Sequence, residues 1–202
     1  MVLEANATMN LTRIAGPESF VRLHLIDSLL PARLIDQPAG RVIDLGSGAG
    51  YPGIPLAIVG WDMSLCDSVR KKAAFLRDCV ASLGLNVPVI DLRAEIIAER
   101  TPGAYGAVIA RAVSSLSSLL ELSSPLLRDG GLLLAMKGTP SADELNRGRA
   151  VCPLTGMTER RAVAYALPGG GESRTLLVYE KTGKPRTALP RRPGLAQRQP
   201  LA

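Results

Sequence analysis

Aromatic residues are scarce in this chain of 202 residues, which holds two Phe, one Trp and four Tyr. A nucleic-acid surface built on rows of stacking rings is therefore not expected. The chain has one histidine, His24, and three widely spaced cysteines, Cys66, Cys79 and Cys152. These numbers support neither a zinc site nor a disulfide framework, and they fit a reducing cytoplasm.

Long apolar runs and targeting signals are also missing. No segment approaches the roughly eighteen uninterrupted apolar residues of a membrane span, and the first ten residues lack the basic and apolar regions of a signal peptide. The composition, 47% hydrophobic and 21% charged, is typical of a soluble globular protein with one sizeable core. We therefore expect a cytoplasmic protein with no membrane partner.

Acidic residues are missing from the C-terminal end. From Lys181 to Ala202 there are six basic residues, four prolines and no acid, and the rest of the chain is electrically neutral. This pattern predicts an extended arm that binds a polyanion, with nucleic acid as the natural partner. The charge alone equally fits a solvated tail that only aids solubility.

Segments with strand-like and helix-like patterns alternate through the body of the chain. Strands are expected at 41–45, 62–66, 87–90, 105–110, 132–136, 160–166 and 173–181. Helices are expected over 21–35, 52–59, 70–83, 94–100, 116–127 and 141–147. The last two strands flank the glycine-rich turn 168–171 and would form a hairpin, whereas the earlier strands need helical crossovers. The pattern predicts an α/β fold with a doubly wound, mostly parallel sheet and a C-terminal antiparallel hairpin.

A glycine-rich loop follows the first predicted strand, at the edge where such sheets bind their ligands. The glycines Gly46, Gly48 and Gly50 would let a ligand approach the backbone closely. The dinucleotide fingerprint needs another glycine at the fifth residue after Gly46, where this chain has Tyr51. The loop is instead typical of enzymes that use S-adenosylmethionine. Asp44 is placed to organise this loop and to face the cofactor's amino group.

Two further strand ends carry candidate cofactor residues. Asp67 lies 21 residues past Gly46 and is expected to accept hydrogen bonds from ribose hydroxyls. The alternative role for Asp67 is to cap the helix that begins near Arg70. After the third strand, backbone groups of Ala94 and Glu95 are placed to contact the adenine edge.

Three basic side chains lie near the same edge of the predicted sheet. Arg111 and Lys137 end the fourth and fifth strands, where they would face the cofactor or RNA or else pair with neighbouring acids. His24, on the first predicted helix, is expected to be a hydrogen-bonded packing residue rather than a general acid.

Motifs that cover nearly the whole chain carry a resemblance to a known family. They are Asn10-Leu11-Thr12, 24–28, the loop 44–55, Asp67-Ser68 with 71–76, Arg93-Ala94-Glu95, Arg111-Ala112, Met136-Lys137-Gly138 and 190–194. With them the chain resembles the bacterial 16S ribosomal RNA guanine-N7 methyltransferase family, also called glucose-inhibited division protein B. The extended loop Gly50-Tyr51-Pro52-Gly53-Ile54-Pro55 is far more specific than a bare glycine motif.

The resemblance implies a Rossmann-like class I methyltransferase that transfers a methyl group from S-adenosyl-L-methionine to N7 of one guanine in 16S ribosomal RNA. It implies a monomer without metal, whose substrate is the small ribosomal subunit or an assembly intermediate. Arg111 and Lys137 would position the reactants with no general base. The cofactor-binding positions would be Asp44, Gly46, Gly48, Gly50, Tyr51, Asp67, Ala94, Glu95 and Arg111.

The resemblance also divides the chain. An N-terminal helical segment over 1–40, shorter than is typical of the family, would precede the methyltransferase domain 41–181 and the basic, proline-rich tail 182–202. In the fourth strand, Gly106 stands where the family usually has an aspartate. We expect a local change there without loss of function.

The chemistry of guanine N7 supports this reading independently of the family name. N7 is an exposed acceptor with a free lone pair and no proton, so methyl transfer needs positioning more than a base. Transfer to an exocyclic amine usually employs an Asn/Asp-Pro-Pro-aromatic motif, but 110–113 read Ala-Arg-Ala-Val. Transfer to a pyrimidine carbon needs a cysteine, commonly preceded by proline, whereas Cys152 precedes Pro153. Three alternatives stay open: a methyltransferase for another RNA or a small molecule, a nicotinamide-dependent oxidoreductase, and a catalytically silent ribosomal RNA-binding protein.

Overall fold

The computed structural model describes residues 1–9, 11, 12, 14 and 16–202. Asn10, part of the first motif above, lies outside the described residues. The helices are α1 (Val2–Met9), α2 (Pro17–Phe20), a π-helix (Val21–Ile26), α3 (Asp27–Leu29), α4 (Pro31–Leu34), α5 (Gly53–Ile58), α6 (Arg70–Ser82), α7 (Ala94–Arg100), α8 (Leu116–Ser123), α9 (Ala142–Thr155) and α10 (Leu195–Arg198). The strands are β1 (Val42–Leu45), β2 (Met63–Cys66), β3 (Val89–Ile90), β4 (Tyr105–Arg111), β5 (Leu127–Lys137), β6 (Met157–Ala166) and β7 (Ser173–Lys181).

Seven strands of the described chain form one sheet in the order β3-β2-β1-β4-β5-β7-β6. The strands β1 to β5 are parallel, and β7 runs antiparallel to both β5 and β6. The predicted fold class is confirmed. The strand order reverses between β1 and β4, so the carboxyl ends of these two strands open the crevice in which such sheets bind ligands.

The strands next to this crevice are buried on both faces. All four residues of β1 are buried. Ile43 belongs to a cluster with the leucines of α8, and Val42 belongs to a second cluster with Trp61 on the opposite face. Removing this apolar surface from water stabilises the sheet by about 25 cal/mol per Å². The sheet therefore holds the loop after β1 on a rigid support.

Element boundaries differ from the predictions where proline or glycine intervenes. The helix predicted over 21–35 is divided into the π-helix, α3 and α4, and Pro31 stands at the first turn of α4, where its missing N–H is harmless. The helix predicted to reach residue 127 ends at Ser123, before Pro125. The glycine pair 130–131, expected to precede β5, lies inside it.

The helix α9 is longer than predicted and has clear ends. It runs to Thr155 instead of Arg147. The Ser141 hydroxyl caps its start by accepting the N–H of Glu144 at 3.1 Å. Gly156, at φ 69°, ends the helix with a left-handed residue.

The C-terminal tail packs against the domain, so the prediction of an extended arm is wrong, and so is the alternative of a freely solvated tail. The amides of Thr182 and Gly183 donate to the carbonyl of Gly156 at the end of α9. Farther along, Ala196 is buried in the core cluster and Leu201 packs against it. A count of charges could not predict this docking, because the anchors are a few apolar side chains and two buried acids, Glu95 and Glu121. The predicted boundaries 1–40, 41–181 and 182–202 stay predictions.

Gly106 allows a close backbone approach that explains its place in β4. A Cβ built on Gly106 would lie 1.8 Å from the carbonyl oxygen of Ala39. The Gly106 amide donates to the carbonyl of Arg41 at 2.9 Å. The segment before β1 therefore lies directly against β4 at this position.

We expect Gly106→Ala to lower the free energy of unfolding by about 2 kcal/mol or more, because the added methyl group has to displace backbone. Urea unfolding measures the effect. The matched control is Gly171→Ala, since a Cβ at Gly171 meets no atom within 4 Å. Equal unfolding midpoints for the two variants would contradict the close approach.

Candidate active site at the ends of β1 and β4

The loop after β1 has a backbone that favours glycine at three positions. Gly46, Gly48 and Gly50 have φ values of 70°, 55° and 94°, a region that residues with a side chain rarely adopt. The amides of Gly46 and Ser47 both donate to the carbonyl of Cys66, at 2.8 and 2.9 Å. The loop is thus fastened to the end of β2.

The three glycines do not serve the same purpose. A Cβ on Gly46 would lie 2.7 Å from the side chain of Val113, and one on Gly50 would lie 2.5 Å from Ile54. A Cβ on Gly48 would meet only the carbonyl of Gly46, at 3.7 Å. Gly46 and Gly50 therefore permit packing within the protein, while Gly48 faces open space.

Asp44 lies beneath the loop and is fully buried. Its Oδ2 accepts the amide of Gly53 at 3.0 Å, which ties the start of α5 to β1. Its Oδ1 is buried and has no hydrogen-bond partner among the described residues. Burial raises the pKa of this carboxyl from about 3.8 to about 7. The geometry assigns Asp44 a role in holding the loop, and its contact with a cofactor amino group stays a prediction.

Asp67 also holds the loop. Its Oδ2 accepts the amide of Gly48 at 3.1 Å, and its Oδ1 accepts the amide of Val69 at 2.9 Å, just before α6. Asp67 is not the N-cap of α6, because Val69 occupies that position without a side-chain cap, and the bond to Val69 is instead a turn that precedes the helix. A carboxylate oxygen has two lone pairs, so both oxygens keep the capacity to accept a further hydrogen bond. Holding the loop and the turn before α6 is therefore compatible with ribose binding.

A pocket of about 790 Å³ opens above the loop. Five of the predicted site residues line it: Gly46, Gly48, Tyr51, Arg111 and Lys137. Five others lie outside its lining: Asp44, Gly50, Asp67, Ala94 and Glu95. The opposite wall comes from the N-terminal segment, with Leu11, Thr12, Ile14, Leu23, His24 and Asp27. The pocket therefore joins the glycine loop to side chains that precede β1.

Arg111 is the centre of the pocket wall. Its Nη1 donates to the Leu23 carbonyl at 3.0 Å and to Asp27 Oδ2 at 3.2 Å, and its Nη2 donates to His24 Nδ1 at 3.0 Å. The guanidinium also lies 5.7 Å from the centre of the Tyr51 ring. Arg111 thus lines the pocket while it is held in an ion pair.

His24 is the hydrogen-bonded packing residue that the sequence predicted. Because Nδ1 accepts from Arg111, the proton resides on Nε2, which donates to the Thr12 hydroxyl at 2.8 Å. The ring stacks on Tyr51 with centroids 4.8 Å apart. Burial and the charge of Arg111 lower the pKa of His24 to about 4. The imidazole is therefore neutral at pH 7.

Asp27 belongs to the motif 24–28 but was not among the predicted site residues, although it joins the N-terminal helices to β4 and to the β6–β7 hairpin. It is 3% exposed. Besides Arg111, it accepts the Tyr165 hydroxyl at 3.2 Å on Oδ1 and pairs with Arg174 at 3.6 Å. Its partners Arg111 and Tyr165 are 84 and 138 positions away. No local pattern in the sequence signals such distant partners.

Lys137 lines the pocket but is also paired. Its Nζ donates to the Ser114 carbonyl at 2.6 Å and to Glu144 Oε1 at 2.8 Å. The same Glu144 oxygen accepts the amide of Leu116 at 3.1 Å. Lys137 therefore joins the end of β5 to α8 and α9, and its role toward the substrate stays a prediction.

Ala94 and Glu95 lie at the start of α7. Glu95 is 5% exposed, and its Oε1 accepts the amide of Gly194 at 2.6 Å. A residue of the C-terminal tail therefore contacts a predicted cofactor residue. The described part of the chain contains no group of His, Cys, Asp and Glu side chains suited to a metal ion. Among the described helices, none is long and apolar enough to span a membrane.

Comparison with known proteins identifies the family. The model of the GidB family, described as rRNA small subunit methyltransferase G, matches residues 1–169. The chain belongs to this family. It is 40% identical to ribosomal RNA small subunit methyltransferase G of Deinococcus radiodurans, over 97% of this chain and 80% of that protein. It is equally 40% identical to that of Roseiflexus castenholzii, over 97% and 86%. The family predicted from the motifs is confirmed.

Solved structures agree with this fold. A SAM-dependent methyltransferase from Aquifex aeolicus aligns with a TM-score of 0.60 at 16% identity, over 85% of this chain and 97% of that one. A predicted O-methyltransferase from Agrobacterium tumefaciens aligns with a TM-score of 0.57 at 22% identity, over 81% and 82%. The GidB-family chain therefore has the class I methyltransferase fold.

The raised pKa of Asp44 predicts a pH-dependent stability. Between about pH 4 and pH 7 the folded protein keeps a proton on Asp44 that the unfolded chain releases, so stability falls as the pH rises through this window. Asp44→Asn cannot ionise. We expect it to lose less stability than the wild type between pH 4 and pH 7.

Urea unfolding at several pH values from about 4 to about 8 measures this difference. The exposed acid Asp78 on α6 provides the control Asp78→Asn, which removes one charge without a buried carboxyl. A stability difference between Asp44→Asn and wild type that stays constant with pH would contradict the raised pKa of Asp44.

Proposed function

We propose that this chain transfers a methyl group from S-adenosyl-L-methionine to N7 of a guanine in the 16S ribosomal RNA of the small subunit. The observation that carries the proposal is the pocket of about 790 Å³ between the glycine loop and a wall in which His24 and Asp27 are both bound to Arg111. The relatives' name, ribosomal RNA small subunit methyltransferase G, supports the substrate class. The small subunit or its assembly intermediate is the proposed substrate, met by a monomer in the cytoplasm.

The residues around the loop fit the proposed cofactor. Gly48 leaves open space where a ligand can meet the backbone. The unpartnered Oδ1 of Asp44 suits an ammonium group, directly or through a water molecule. Asp67 has lone pairs for ribose hydroxyls at the end of β2. When bound, S-adenosyl-L-methionine supplies an electrophilic methyl group on a sulfonium centre.

The remaining cofactor positions follow the same edge of the sheet. We assign Ala94 and Glu95 to the adenosine end, beyond Asp67, and Gly46, Gly50, Tyr51 and Arg111 to the end next to the pocket. Arg111 and Lys137 are proposed to position the guanine and its phosphates. The methyl group of the cofactor would then point into the pocket, opposite the wall formed by the N-terminal segment.

The wall residues suit a reaction without proton transfer. Guanine N7 carries a lone pair and no proton, so nothing has to be removed from it. Neutral His24 already uses both ring nitrogens, on Arg111 and Thr12, and an arginine does not deprotonate in proteins. These side chains then only have to hold guanine N7 in line with the methyl group of the cofactor and to exclude water.

The alternatives are less well supported. Membership of the GidB family disfavours a nicotinamide-dependent oxidoreductase and a methyltransferase for small molecules. A catalytically silent RNA-binding protein differs from the proposal only in turnover, so the decisive measurement is methyl transfer with identification of the product.

We expect tritiated methyl groups to be transferred from S-adenosyl-L-methionine to small subunits that lack the modification, with 7-methylguanosine as the labelled nucleoside. Replacing the target guanine by 7-deazaguanine removes the acceptor nitrogen and should abolish transfer. Label in an exocyclic amine or a ribose would contradict the proposed acceptor, and binding without label would indicate the silent protein.

We expect Asp67→Ala to weaken S-adenosylhomocysteine binding about tenfold to a hundredfold, because hydrogen bonds to a charged group contribute about 1.5 to 3 kcal/mol. Calorimetry measures the affinity. Asp91→Ala is the control, since Asp91 follows the neighbouring strand β3 but pairs with Arg77 at 3.2 Å.

An analogue without the ribose 2′-hydroxyl separates ribose binding by Asp67 from its structural role in the loop and the turn before α6. Wild-type protein should bind this deoxy analogue more weakly than S-adenosylhomocysteine, whereas Asp67→Ala should bind the two nearly equally. If Asp67→Ala discriminates between the ligands as strongly as wild type, Asp67 only holds the glycine loop and the turn before α6.

A further inference from the structure

The segment Pro190–Gln199, here called the C-terminal strap, is anchored to α8 by a buried ion pair. The Arg191 guanidinium makes two hydrogen bonds to the Glu121 carboxylate, Nε to Oε1 and Nη2 to Oε2, each at 2.6 Å. Glu121 is 2% exposed. Paired hydrogen bonds between charged groups in a fixed fork are among the strong interactions in proteins. The strap is therefore held at a definite place on α8.

Two more contacts keep the strap folded on the domain. The buried hydroxyl of Ser118 donates to the Ala196 carbonyl at 2.8 Å, and Ala196 itself is 1% exposed. Arg191 Nη2 also donates to the carbonyl of Gln199 at 2.7 Å, which closes the strap on itself. The strap is consequently a compact part of the fold and not a free chain end.

The third anchor reaches α7. Gly194, at φ 80°, donates its amide to Glu95 Oε1 at 2.6 Å, and both residues are buried. A buried carboxylate that loses a hydrogen-bond donor is costly, so Glu95 would have to turn toward water without the strap. Gly194 thus fixes the side chain at the start of α7.

We propose that the C-terminal strap is part of the cofactor site: docked on α8 by Arg191, it donates to Glu95 and thereby positions the start of α7 for the adenosine end of S-adenosyl-L-methionine. This inference rests on the proposed placement of Ala94 and Glu95 at that end. Arg191, Gly194 and Glu121 act through Glu95 and are positioning residues.

A pair of variants that each remove one positive charge from the tail tests the proposal. In Arg191→Met the anchor to Glu121 is lost, and S-adenosylhomocysteine affinity measured by calorimetry should fall about tenfold. The control is Arg186→Met, because Arg186 is an exposed base outside the strap, and its cofactor affinity should equal that of wild type. Thermal unfolding of both variants establishes that they are folded.

Kinetics with small subunits separate an effect of the strap on cofactor binding from a general electrostatic effect on RNA binding. The proposal expects Arg191→Met to raise the KM for S-adenosyl-L-methionine more than Arg186→Met does, while the KM for subunits rises in Arg186→Met, which loses an exposed base, at least as much as in Arg191→Met. Unchanged cofactor affinity in folded Arg191→Met would overturn the proposal. Because calorimetry needs no RNA, this result can be distinguished from a failure of the proposed guanine methylation.

Hydrogen exchange on the unmodified protein provides a test that does not depend on a variant. If the strap favours cofactor binding, the cofactor must favour docking of the strap by the same factor. S-adenosylhomocysteine should therefore slow amide exchange in 190–199, Gly194 included. The proposal would be overturned if S-adenosylhomocysteine slowed amide exchange in the glycine loop but left exchange in 190–199 unchanged.

Discussion

The buried pair of Asp27 and Arg111 is the interaction on which the pocket depends. Asp27 comes from the N-terminal helices, Arg111 ends β4, and Tyr165 and Arg174 bring the β6–β7 hairpin to the same carboxylate. Removing one partner of such a pair leaves a buried charge and costs about 3 to 5 kcal/mol. The same pair fixes His24 through Arg111, and His24 in turn stacks on Tyr51 of the glycine loop. One carboxylate therefore joins the N-terminal wall, the sheet edge and the hairpin.

This network also explains how a site with several charged groups can serve a reaction that needs no base. Arg111 donates to Nδ1 of His24 and fixes the tautomer, and its charge helps burial to keep the imidazole neutral. Ala112, directly after Arg111, has φ 57°, a strained conformation for a residue with a side chain. The chain accepts this strain where β4 turns into the pocket.

The sequence predicted those features that depend on neighbouring residues. Buried runs such as 132–136 showed the strands, and the glycines after Asp44 showed the loop, because burial and left-handed backbone each leave a local pattern. The pairs of Asp27 with Arg111 and of Glu95 with Gly194 left no such pattern, since each joins residues at least 84 positions apart. For a related reason, the sequence could not distinguish Gly48 from Gly46 and Gly50. Only the folded chain shows which side chain each missing Cβ would meet.

The charge of the tail has a different meaning once its partners are known. Of its six basic residues, Arg191 is bound to Glu121 and Lys181 donates to the Leu127 carbonyl at 2.7 Å. The exposed bases are Lys184, Arg186, Arg192 and Arg198. A base held by a buried acid contributes little to phosphate binding, because its charge is already neutralised. The capacity of the tail to attract a polyanion therefore resides in these four side chains on a fixed surface, and Lys72 places one more base at the pocket itself. The proposed RNA substrate would then meet a preformed basic face instead of ordering a flexible arm, which would lower the entropic cost of binding.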